Sequence, residues 1–93
     1  MNKIDWTNHY GKMERKELYE ELAKYTKRGF KYVPYNPVSL ESSRVITPWG
    51  IGMTELAIEK LLSGKLIFGN RIQAEAIDAI ELFKIMKAIQ GLV

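Results

Sequence analysis

Between Lys24 and Tyr35 the chain reads KYTKRGFKYVPY: four cations (Lys24, Lys27, Arg28, Lys31) interleave with four aromatics (Tyr25, Phe30, Tyr32, Tyr35), with no acid among them. Cations neutralise phosphates and aromatic faces stack on bases, so the mixture suits single-stranded or looped nucleic acid. The competing reading gives the cations to a helix C-terminus and a solvated face, and the aromatics to a core. Other polar groups carry less. His9 stands alone near Asp5, and with no cysteine and no second histidine it cannot build a usual zinc site. Ser42, Ser43 and Arg44 could meet a phosphate, but lack the glycine-rich loop and helix start that such a site uses.

A second signal is apolar. In Thr47-Pro48-Trp49-Gly50-Ile51-Gly52 a tryptophan stands between proline and glycine. Trp49 reads first as a plug that closes the core, and alternatively as a rigid anchor presented to a partner. Trp6, with Ile4 and Tyr10 near the start, reads as an apolar lid folded back on the domain.

These residues need elements to hold them. The longest is a helix over 70–90. Asn70 can cap it, Gln73 sits where a capping-box partner belongs, no Gly or Pro interrupts Arg71 to Gln90, and Gly91 marks the stop. Glu75, Asp78 and Glu81 precede Lys84 and Lys87, as the helix dipole favours. Those five polar residues recur every third position, so the polar stripe slips by about 60° per step and cannot stay on one face. One helix therefore offers two apolar sides, Ile72, Ala76, Ile77 and Ile80 on the first half, and Leu82, Ile85, Met86 and Ile89 on the second. Either the rest of the domain wraps around it, or the second side packs on another copy or another protein.

A second helix is expected over 12–28. Leu18, Leu22 and Tyr25 form its apolar stripe, and Gly29 ends it. From Val33 to Met53 periodicity fails around Pro34, Pro37 and Pro48; short extended pieces at 30–33 and 44–47 could pair as a two-stranded ribbon. Thr54 can cap a short helix over 54–62 that stops at Ser63-Gly64. Lys65 to Phe68 is too short to type as strand or linker. The expected fold is a mostly helical α+β single domain over residues 1–93.

Composition narrows the function. At 93 residues, 46% hydrophobic and 27% charged, the chain is ordinary for one globular domain. Net charge is +3, and residues 1–35 hold eight Lys or Arg against five Asp or Glu, while residues 36–93 hold six of each. Any electrostatic partner should therefore meet the first third. No secretory signal and no run of apolar residues long enough to span a bilayer is visible, so a cytoplasmic protein without membrane contact is expected. Walker, GxGxxG, GxSxG and HExxH motifs are missing, and no cofactor or metal is expected. A helix-turn-helix reader over 54–62 and 70–90 is disfavoured: the connection is too long, and Glu75, Asp78 and Glu81 would face phosphates.

Two functions remain. The first is a small non-enzymatic protein-binding or assembly protein, in size and lack of motifs like an accessory protein of a virus or mobile element. It would act on its own copies through Leu82, Ile85, Met86 and Ile89, as a homo-oligomer, or on a foreign protein through Trp49. The second is RNA or single-stranded DNA binding through Lys24, Lys27, Arg28, Phe30, Lys31, Tyr32 and Tyr35.

Overall fold

Residue order already dictates where the first helix must stop. The computed structural model describes residues 6–65 and 69–91, and for 70–74 the backbone alone. Helix α1 spans Arg15–Lys27 and ends in a Schellman motif: the Gly29 N–H donates to the Thr26 carbonyl and the Phe30 N–H to that of Tyr25, both over 3.1 Å. That closure needs a residue of positive φ at position 29, and Gly29 supplies it at φ +95°. The apolar contact that accompanies such a cap is present as well, with the Tyr25 and Phe30 rings edge to face at 5.8 Å.

Helix α1 starts later than the periodicity suggests. A 3-10 turn at Tyr10–Lys12 occupies the chain first, and Met13 and Glu14 are extended before the helix begins. The cause is tertiary. Tyr10 is buried and its hydroxyl donates to Glu81 over 2.7 Å, which fixes this segment on the last helix.

Three strands follow, β1 at Lys31–Val33, β2 at Arg44–Ile46 and β3 at Gly52–Thr54, in one antiparallel sheet of order β1-β2-β3. The sequence suggested a two-stranded ribbon; the third strand was hidden because Gly52-Met53-Thr54 is short and contains glycine, a poor strand former. Tyr32, Val45 and Met53 are paired across the sheet, and with period 2 they share its inner face, where Val45 and Met53 are fully buried. Lys31, Ile46 and Gly52 form the adjacent row on the outer face. Thr47 and Ile51 close the β2–β3 connection, with Thr47 N–H to Ile51 carbonyl at 2.9 Å and Gly50 N–H to Thr47 carbonyl at 3.0 Å. Pro48, Trp49 and Gly50 make up the three-residue turn. Proline presets φ at its first position and Gly50, at φ +82°, closes it.

Helix α2 covers Glu55–Leu62. Thr54 Oγ1 accepts from the Ala57 N–H at 3.0 Å, the cap its position predicts, and Gly64 at φ +76° ends the helix by a second Schellman closure. Helix α3 runs Asn70–Gly91. The predicted cap at Asn70 and the side chain of Ile72 lie outside what is described, as do Leu66 to Phe68, whose strand or linker character therefore stands as an expectation.

The domain wraps α3. Trp6, Phe30, Val45, Met53 and Ile58 pack on Ala76, Ala79, Ile80, Leu82 and Phe83, while Tyr10 and Leu18 pack on Ile85 and Ala88. Trp6 is indeed an apolar lid, 5.7 Å from the Phe83 ring. The second apolar side is shared between the two clusters, Leu82 and Met86 joining the sheet and Ile85 and Ile89 joining Tyr10 and α1. Ile77 belongs to neither and is exposed. A polar seam joins three elements at one point: Ser43 Oγ donates to Glu55 Oε2 at 2.6 Å, and Lys87 Nζ lies 3.2 Å from Glu55 Oε1. No helix among the described residues is long and apolar enough to cross a membrane.

Burial also sets an alkaline limit. Tyr10 and Tyr25 both hold their protons above the ordinary phenol value of 10.0, first because burial disfavours the phenolate, then through the Tyr10 hydrogen bond to Glu81 and the charge of Asp78 near Tyr25. A folded-state pKa raised in this way contributes stability that is complete below pH 10.0 and declines as pH rises beyond it. Of the five tyrosines, Tyr10 should therefore develop phenolate absorbance only together with alkaline unfolding, and Tyr10→Phe should remove part of that sensitivity. Ionisation of all five before any loss of circular dichroism would contradict this.

Candidate docking surface

The basic and aromatic segment folds so that its two halves part company. Alternation in the strand turns Phe30 and Tyr32 inward and Lys31 outward. Phe30 is fully buried, Tyr32 is half-buried with its ring edge-on to Phe83 at 5.7 Å, and Tyr25 is half-buried against Phe30. Tyr35 alone of the four is exposed, and it lies beyond the other end of β1. The aromatic faces proposed to stack on bases are therefore largely core residues. Among the cations, Lys24 pairs with Glu21 at 2.8 Å, and this contact raises its pKa. Arg28 pairs with Asp78 of α3 at 2.9 Å, its guanidinium lying 5.5 Å from the Tyr25 centroid and 5.1 Å from that of Phe30. Lys27 and Lys31 are exposed.

The second half of α3 is also accounted for. Leu82 and Ile85 have no exposed surface, and Met86 and Ile89 are half-buried against the two core clusters. These residues, expected from sequence to meet a partner, instead meet the sheet and α1. The apolar surplus that suggested self-association is used within the chain, because Tyr10, Met13, Leu18 and Leu22 converge on it from the N-terminal segment.

Trp49 differs. It is 54% exposed, so it does not plug the core. Its ring stands edge-on to buried Phe30, at 6.4 Å and 89°. The turn that carries it is seated by Pro48, which faces Gly29 so closely that a Cβ there would lie 3.2 Å from Pro48 Cβ. Phe30 thus supports both Trp49 and the Arg28 guanidinium, and α1, β1 and the β2–β3 turn converge on one spot. Sequence reasoning found Trp49 and Arg28 separately. Their shared support through Phe30 and the seating of Pro48 on Gly29 are contacts between distant segments, which no local pattern encodes.

This geometry makes Gly29 a keystone. Alanine there meets both an unfavourable φ and Pro48, whereas Gly50 has positive φ with nothing within 4 Å of an added Cβ. Gly50→Ala should cost about 1–2 kcal/mol from backbone conformation, and Gly29→Ala measurably more. Equal denaturant midpoints for the two variants would contradict the close packing.

Three further exposed apolar residues lie at the opposite end of the sheet. Tyr35, Val38 and Leu40 are exposed on the β1–β2 loop, where Leu40 adopts φ +57° and Asn36 Oδ1 accepts from the Val38 and Ser39 N–H groups. Charge is paired there: Glu41, which follows Leu40 directly, lies 3.4 Å from Arg44. Among the described residues no group of three or more His, Cys, Asp or Glu could hold a metal ion. His9 is exposed, edge-on to Tyr10 at 5.0 Å, on a different part of the chain from Trp49.

No protein-family model matches this chain, and neither a curated protein nor a solved structure proves similar to it.

Proposed function

We propose that this protein is a small, non-enzymatic, cytoplasmic binding protein that docks another protein through Trp49. The observation that carries the reading is a large aromatic left 54% exposed although its turn is fixed by Pro48 and Gly50 and backed by a buried ring. A tryptophan held rigidly before binding loses little conformational entropy on association, and tryptophan and arginine are among the residue types that most often carry the binding energy of protein interfaces. A foreign partner fits better than a second copy, since Leu82 and Ile85 are spent on the chain's own core. The nucleic-acid alternative loses support for the matching reason: Phe30, Tyr25 and Tyr32 face inward.

The test is photocrosslinking in the native host with a diazirine amino acid at position 49, and at exposed Tyr19 as the control position. A discrete protein adduct from position 49 and none from position 19 is expected. Adducts to nucleic acid, or the same products from both positions, would refute the reading.

A further inference from the structure

We infer that the segment docking on Trp49 is acidic, with one apolar side chain against the indole and carboxylates reaching Lys27 and Lys31. The inference rests on the reading of Trp49 as the docking element and adds the chemistry of its partner. Lys31 is paired with Ile46, the last residue of β2 before the tryptophan turn, and Lys27 ends α1 two residues before Gly29, the residue on which Pro48 is seated.

Their charge is not met by their own elements. On α1 the positions three and four before Lys27 are Lys24 and Ala23, and across the sheet Lys31 faces Ile46. On α3 Asp78 is engaged by Arg28 at 2.9 Å. Arg28 therefore acts as a neutralised plate stacked on Phe30, while neither lysine forms an ion pair among the described residues. Such rim charges select an oppositely charged partner and speed its approach. A nucleic acid offers negative charge too, but single-strand binding draws on several successive stacked bases, and this surface exposes a single aromatic.

The experiment is a titration of the 93-residue protein followed by amide and indole N–H resonances, with three probes. These are a short glutamate peptide around one central phenylalanine, the same peptide with lysine for glutamate, and single-stranded oligothymidylate. The glutamate peptide should shift Lys27 to Lys31 and Trp49 to Ile51 saturably, with affinity falling as salt is added. Lys27→Glu combined with Lys31→Glu should weaken it about tenfold, while the spectrum of the free protein stays folded. Equal binding of the lysine peptide at the same residues would overturn the acidic partner and leave protein docking standing. Binding of oligothymidylate in place of the glutamate peptide would overturn both. No shift with any probe would also overturn the acidic partner, and the crosslink from position 49 would then judge the docking reading separately.

Discussion

Ile85→Ala should lower the unfolding free energy by about 2–5 kcal/mol. Ile85 has no exposed surface and is enclosed by Tyr10, Leu18 and Ala88, with Leu22, Tyr25 and Ile89 around them. Truncation removes apolar contact and leaves a cavity whose walls belong to two helices and a 3-10 turn, which cannot collapse without disturbing the Tyr10 bond to Glu81. For a domain of this size the whole stability is about 5–14 kcal/mol, so the loss is a large fraction of it. Ile85→Asp should go further and abolish folding, because an unpaired carboxylate would be buried. Denaturant unfolding of both variants checks the point. A folded Ile85→Asp protein with near-native stability would show that this side of α3 is a surface after all, and would restore self-association as the leading account.

Trp49→Ala should do the reverse, sparing the fold and removing the function. The indole is 54% exposed and its principal described ring contact is the edge of Phe30, so its loss should cost about 1 kcal/mol of stability. Partner affinity should fall by at least about 30-fold, as for an interface anchor contributing 2 kcal/mol or more. Most of that change should appear as faster dissociation. Trp49→Phe should recover part of the affinity, since a smaller ring on the same turn still presents an apolar face, whereas Trp49→Lys should recover none. Unfolding of Trp49→Ala would contradict the division between a supporting Phe30 and a presented Trp49.

Much of the fold was legible because its signals are local. Gly29 and Gly64 mark helix ends through backbone conformation, Thr54 caps α2 through its own hydroxyl, and the three-residue polar recurrence on α3 gives that helix two apolar sides. What failed was non-local. Nothing in the apolar pattern of Leu82, Ile85, Met86 and Ile89 says whether α1 or another molecule covers them; only the path of the chain through Tyr10 and Leu18 decides it. The third strand was missed because Gly52 and Met53 have little β propensity of their own and owe their conformation to pairing with Ile46 and Val45. For the basic and aromatic segment the sequence leaves two readings open, and strand alternation at Phe30, Lys31 and Tyr32 supports the one that gives these aromatics to the core and the cation to a solvated face. That division could be read from the sequence, as the period of two implies. The exposure of Trp49 could not, since a proline and a glycine fix its turn without fixing what the turn faces.

The most direct test of the account is the dissociation constant of the protein captured from position 49, measured with purified components against wild type and Trp49→Ala under one salt condition. The account predicts measurable wild-type binding that weakens at least about 30-fold in a variant whose spectrum remains native. Equal affinity for the two proteins would contradict it, and would place the docking surface elsewhere on the fold.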